Sequence, residues 1–392
     1  MPSQDRAPVA LALGGLFSLA AAMGIGRFVY TPILPFMADG LNLPAEDAGL
    51  IASANFLGYL AGALAGTSKS LPGRPRVWFL GGLLVSALTS AAMALTVSLW
   101  AFLFIRFVSG VASAFVLVFS TTLILDRLNV AGRGGLSALY FAGVGCGIAF
   151  SALLVAGLDQ MAADWRQLWL ASGGATLVFL LIAAGLVPDE PPAAKAPADG
   201  STRLPADASY INASLLRLIL AYGLFGFGYV ITATFVSTIA RSTPELQSTE
   251  QLVWLAVGLC AAPSIYVWNR IALRTGARRA FALACMLEAT GVALTVAGTG
   301  PALFLLGAAL LGATFMGITA LGLMETRRQA SAGGLAAIRQ MLAVLTASFG
   351  LGQVLGPWFA GRLYEMTGSF QLPSLAAAAA LVIAAALVGR QG

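Results

Sequence analysis

Residues 24–37 read GIGRFVYTPILPFM, an apolar run with two prolines and a single charge, Arg27. Apolar sequence extends backwards through ALALGGLFSLAAAM at 10–23. The combined run exceeds the about 20 residues that a helix needs to cross a bilayer. An arginine inside such a helix costs about 2.5–3.5 kcal/mol on insertion scales, so its presence asks for a role.

The same texture covers the chain. Of its 392 residues, 59% are hydrophobic and only 10% charged, and mean hydropathy is +0.87. Soluble domains are about 25% charged, which excludes an ordinary cytosolic enzyme. Hydropathy divides the chain into twelve spans near 10–37, 48–67, 77–97, 100–125, 135–158, 167–187, 215–239, 251–269, 280–297, 301–324, 335–359 and 372–388. The first is too long for the core of a cleavable signal peptide. The expected fold class is an all-α membrane protein of two pseudo-symmetric six-helix bundles. Residues 1–187 form the first bundle and 214–392 the second, joined by a Pro-, Ala- and Asp-rich cytoplasmic linker at 188–213.

Twelve spans put both termini on one side. Of 22 basic residues, Arg166, Arg241 and Arg362 fall on the opposite side, and Arg27, Arg106 and Arg339 fall within spans. All the others share the side of the termini. The positive-inside rule makes that side the cytoplasm, and it explains the net charge of +6 without nucleic acid as a partner. The expected setting is the inner membrane of a bacterium, with a monomer as the unit.

The halves read as copies. AYGLFGFGYVITATF at 221–235 superposes on the opening stretch, with Gly24 and Gly26 on Gly226 and Gly228. Arg27 then meets Tyr229, and Tyr30 meets Thr232. In the fifth and eleventh spans Gly145 and Gly147 match Gly350 and Gly352. Parallel repeats of this kind carry the substrate site near the midplane, between the halves.

These features resemble the major facilitator superfamily. RFVSGVASA at 106–114 is similar to its motif B, whose arginine is associated with proton coupling in proton-linked exporters. The loop after the second span is similar to motif A through Gly66, Gly73, Arg74 and Arg76, with Ser70 where the family has an acid. The repeat copy keeps Arg274, Gly276, Arg278 and Arg279 and also lacks the acid. The resemblance implies a cytoplasmic gate at Arg74, Arg76, Arg278 and Arg279. Residues 24–37, 221–235 and 349–357 are similar to the YbfB/YjiJ-type bacterial branch. The resemblance implies a transporter, not an enzyme, with a cavity lined by spans 1, 4, 7 and 10.

Arg27 and Arg106 lie in the outer half of that cavity by helical rise. A guanidinium is a planar fork suited to carboxylate or phosphate. The expected binding set is Arg27, Tyr30, Thr31, Arg106, Tyr229 and Thr232, with backbone capping as the alternative role for each arginine. No acid lies well inside the cavity spans. Asp126 and Glu325, at cytoplasmic ends, are expected to pair with Arg127 or Arg327. Glu288, in the ninth span, is either a coupling residue alongside Arg106 or a neutral, hydrogen-bonded packing residue.

Histidine is absent, and methionines and cysteines lack ligand spacing, so no metal is expected. No nucleotide motif or other cofactor signature is present. The expected function is proton-linked secondary transport of a small organic anion or amphipathic metabolite. The alternatives are a multidrug or toxic-metabolite exporter, which tolerates loss of Arg27, and a non-transporting membrane sensor, which shows no flux of its ligand.

Overall fold

The computed structural model describes residues 6–68, 71–189, 212–298 and 300–389. Lys69 and Ser70 of the motif A loop lie outside them, as do Lys195, Arg203, Arg390 and nearly all of the linker. Among the described residues the chain is nearly all helical, with no strand. We number the crossing helices α1 (Ala7–Leu41), α2 (Ala45–Gly66), α3 (Pro75–Leu95), α4 (Leu99–Val130), α5 (Gly134–Asp159), α6 (Trp165–Leu186), α7 (Ala213–Ser242) and α8 (Pro244–Thr275). The last four are α9 (Ala277–Leu294), α10 (Pro301–Ala330), α11 (Gly334–Thr367) and α12 (Gln371–Gly389).

Ten stretches are long and apolar enough to cross a membrane, and one of them is Pro301–Thr367. That stretch is two helices. A tight turn at Ser331–Gly333 and a positive φ at Gly334 break it. The ends flanking the break, Ala330 and Met341, both pack on Leu215 at the start of α7, so the chain reverses there. The twelfth helix, α9, has 18 residues and carries Arg278, Arg279 and Glu288, which lowers its hydropathy.

Contacts repeat between the halves. In the first, α1 packs on α5 and α6, α3 on α4 and α6, and α2 on α4. In the second, α7 packs on α11 and α12, α9 on α10 and α12, and α8 on α10. Adding six to each helix number of the first set gives the second. The two large contacts between halves, α2 with α11 and α5 with α8, exchange under the same operation.

The matched glycines explain how these pairs approach. A Cβ on Gly24 would stand 2.4 Å from the Gly147 Cα. Its counterpart contact sets Gly352 against Gly223–Phe227 of α7, where a Cβ would stand 2.2 Å from a backbone oxygen. Small residues let helix backbones meet without a hydrophobic driving force in lipid.

The two ends of the molecule differ. At the end bearing Asp39, Glu46 and Glu250, contacts cross between halves. Arg241 of α7 bonds Asp39 of α1 at 3.1 Å and Glu250 of α8 at 2.6 Å. Arg362 of α11 bonds Glu46 of α2 at 2.9 Å. At the basic end Arg74, Arg76 and Arg278 each bond within their own half. Arg76 donates to the Val187 and Ala184 carbonyls at the end of α6, and Arg278 donates to the Val388 carbonyl at the end of α12. Arg74 pairs with Asp189 at 3.1 Å, and Arg279 is exposed. Arg76 and Arg278 are therefore equivalent caps of helix C-termini, where orphan carbonyls need donors. Neither bridges the halves in this conformation. Glu325 is held by Arg328 at 2.6 Å, not by Arg327. Residues three apart share a helix face and residues two apart do not.

Candidate functional site

The site grows from a fault in α1. The helix is regular to Leu19, widens at Ala20–Ile25, turns at residues 26–29 and resumes at Tyr30. Across the fault the bonding changes from five residues back (Gly26 to Ala21, Phe28 to Met23) to three back (Thr31 to Phe28). Thr31 N thus leaves its ordinary acceptor, the Arg27 carbonyl. Freed carbonyls at membrane depth need a donor from a neighbouring element.

Arg106 of α4 supplies it. Nη1 donates to the Gly26 carbonyl and Nη2 to the Arg27 carbonyl, each at 3.0 Å. Ser109 adds a bond to Gly26 at 3.2 Å. The guanidinium lies 5.1 Å from the Tyr30 ring centroid and 5.9 Å from that of Trp169. Asn55 donates to the Arg106 carbonyl at 3.1 Å. Both terminal nitrogens of Arg106 are thus engaged on the α1 backbone, the capping alternative raised for it.

Arg27 is arranged otherwise. It is 4% exposed, and its guanidinium carbon stands 4.2 Å from the Tyr59 ring centroid, 4.6 Å from Phe56 and 5.4 Å from Phe28. These rings hold the cation by their faces. Nε and Nη2 have no hydrogen-bond partner, and Arg27 forms no ion pair among the described residues. Those two N–H groups point to the same side of the guanidinium. In this protein Arg328 uses the same pair to hold both oxygens of Glu325, at 2.8 and 2.6 Å.

Across Phe315, whose ring meets that of Phe28 at 6.2 Å, lies Tyr229 of α7. Its ring is parallel to Phe315 (5.7 Å, 8°) and to Phe349 (5.9 Å, 4°). Gln353 donates to its hydroxyl. Thr232 is fully buried, and its hydroxyl has no partner. A small cavity of about 10 Å³ lies between the halves here, bordered by Phe28, Ile148, Tyr229, Trp254, Leu311 and Phe315.

The structure therefore brings Arg27, Tyr229 and the neighbouring aromatics together. It turns Tyr30 and Thr31 elsewhere. The Tyr30 hydroxyl donates to the Ala48 carbonyl at 2.9 Å, and Thr31 donates to the Ala233 carbonyl at 2.6 Å, tying α1 to α7. Uninterrupted helical spacing would have set both near the Arg27 face, but the fault shifts their phase. Glu288 is wholly buried. Thr314 is its polar neighbour, and the Thr314 hydroxyl also donates to the Leu310 carbonyl at 2.6 Å.

Trp254, Phe315, Phe56 and Tyr59 were not singled out in the sequence. Phe56 and Tyr59 are three apart on α2, a spacing that puts both on one face. That was the available signal, but it names no partner helix.

Twelve crossing helices among the described residues, in two equivalent halves, make up the fold of the major facilitator class. A family model described as "Uncharacterised MFS-type transporter YbfB" matches residues 19–389, and the chain belongs to that family. It is 24% identical over 363 residues to the "Uncharacterized MFS-type transporter YceJ" of Bacillus subtilis, covering 90% of this chain and 89% of that one. It is 26% identical over 369 residues to an "Uncharacterized MFS-type transporter" of Yersinia pestis, covering 91% and 89%. The fold matches a solved structure of a point mutant of the nucleoside transporter NupG, with a TM-score of 0.76 at 18% identity over 97% of this chain and 99% of that one.

Proposed function

We propose that this transporter carries a small organic anion, held through a carboxylate by the side fork of Arg27. The observation that carries the reading is the buried, unpartnered Nε and Nη2 pair. Buried polar groups in native proteins are almost always satisfied, so a pair of donors left without acceptors marks a place for a ligand. A carboxylate fills such a fork with two parallel charge-assisted bonds. Tyr229 and Thr232 provide hydroxyls from the opposite half, and Arg106 fixes the backbone that carries Arg27.

Transport proceeds by alternating access, with the halves rocking on the α2–α11 and α5–α8 contacts. The basic end faces the cytoplasm of the bacterial inner membrane, in agreement with the distribution of arginines. In the conformation described here the outer end is latched by Arg241 with Asp39 and by Arg362 with Glu46. Transport is proton-linked. Glu288, wholly buried in α9, is the acid we assign to coupling.

The test is a thermal-shift screen of the purified protein against organic anions, cations and neutral drugs. Anions stabilise the wild type, Arg27→Ala loses the response, and Arg27→Lys keeps part of it. A response restricted to cations and unchanged in Arg27→Ala overturns the reading.

A further inference from the structure

We propose that the carboxylate solute carries a planar aromatic ring, with a hydrogen-bond acceptor on its edge that meets Trp254. This rests on the Arg27 reading and adds the body of the molecule to its anionic group.

Three observations point to the ring. The first is the wall facing Arg27. Tyr229 lies between Phe315 and Phe349 with all three rings nearly parallel, and Phe225 stacks on Tyr229 at 5.1 Å. Phe28 meets Phe315 edge-on at 6.2 Å and 73°. Aromatic pairs favour offset-stacked and edge-to-face geometry. A flat ring entering beside Phe315 finds one face to stack on and one edge to meet.

The second is the lining of the space beside this wall. Ile148 and Leu311 complete its border with apolar surface, which suits a ring face and offers nothing to a second charge.

The third is Trp254. Its side chain borders the same space and is 1% exposed, and its Nε1 has no hydrogen-bond partner. Its ring lies 6.4 Å from Phe28, the neighbour of Arg27. Indole N–H is donor only, so the group it awaits is an acceptor, such as a ring hydroxyl or carbonyl oxygen. A buried donor left empty costs about 1–3 kcal/mol. A solute that satisfies it is favoured over one that does not.

The experiment is calorimetric titration of the full chain in nanodiscs at pH 7 with benzoate, the three hydroxybenzoate isomers, cyclohexanecarboxylate and acetate. Benzoate binds at least 10-fold more tightly than cyclohexanecarboxylate or acetate. At least one hydroxybenzoate binds more tightly than benzoate, and Trp254→Phe removes that gain. Phe315→Leu, which keeps bulk and loses the ring, brings benzoate down to the level of cyclohexanecarboxylate. Equal binding of benzoate and cyclohexanecarboxylate, both lost in Arg27→Ala, overturns the ring and leaves the carboxylate reading standing. A ring preference with no hydroxybenzoate gain overturns the role of Trp254. Absence of any Arg27-dependent carboxylate binding overturns both readings.

Discussion

Helices α1 and α7 descend from one pattern and fold differently. Both carry Gly-x-Gly at the same level, at Gly24 and Gly26 and at Gly226 and Gly228. Yet α7 runs unbroken over Ala213–Ser242 while α1 is interrupted between Ala20 and Tyr30. The cause lies in the partner helix. Gly110 of α4 and Gly312 of α10 occupy equivalent contacts, against Asn55 of α2 and Val257 of α8. Four residues earlier stand Arg106 and Ala308. The arginine can satisfy carbonyls that α1 frees, and the alanine has no donor to offer α7. The first half can therefore hold an open backbone and aim Arg27 from it. The second half presents Tyr229 from a rigid stack of rings. A charged group on an interrupted, clamped segment faces an apolar wall on a continuous one.

Removing either arginine of the first half is the hardest test of this contrast. Arg27→Ala lowers carboxylate affinity about 30-fold or more, since a buried charge-assisted pair is worth about 2–5 kcal/mol when one partner is cut away. Titration calorimetry reads this, and an unchanged Kd breaks the contrast. Arg106→Met strands the Arg27 carbonyl, leaves the Gly26 carbonyl only its bond from Ser109 and destabilises the fold by about 1–3 kcal/mol, the cost of an unsatisfied buried group. Its melting temperature falls and carboxylate binding falls with it, whereas Ala308→Val in the second half lowers stability by packing alone.

A smaller effect attends the glycine approaches. Gly147→Ala places a methyl 2.5 Å from the Ala20 carbonyl oxygen, and forced overpacking costs about 1–3 kcal/mol. The melting temperature shows it. Tyr229→Phe keeps the parallel rings and loses only the hydroxyl that Gln353 meets, about 1 kcal/mol. Affinity for a ring-bearing carboxylate then falls less than about 10-fold. Least of all, Asp39→Asn removes one exposed arm of the Arg241 cluster and costs about 0.2–1 kcal/mol. Its measurable consequence is greater labelling of a cysteine introduced at Ser237.

The sequence carried much of the fold because hydropathy, charge side and repeat all act over long stretches. Twelve helices, the α1–α7 correspondence and the closeness of the two arginines were legible that way. The split in their roles was not. Arg27 and Arg106 are alike as residues, and only the fault in α1 decides which one is held by backbone and which is left with an empty fork. No glycine spacing announces that fault, since Gly-x-Gly in α7 leaves its helix intact. The same fault turns the Tyr30 and Thr31 hydroxyls to the Ala48 and Ala233 carbonyls, away from the face that unbroken helical spacing predicts for them. The aromatic wall was missed because Phe315, Phe349 and Tyr229 come together from three helices, and hydropathy marks each only as apolar. The arginines of the basic end were legible as a charge pattern, but their acceptors are backbone carbonyls, which carry no sequence signature.

The most direct test observes the fork itself. In protein labelled with 15N-arginine, the Nε–H resonance of Arg27 is assigned by its absence from Arg27→Lys. Added benzoate moves that resonance to the position of a carboxylate-bonded guanidinium and leaves the Nε–H of Arg106 where it was. Saturating benzoate that leaves the Arg27 resonance unmoved contradicts the account.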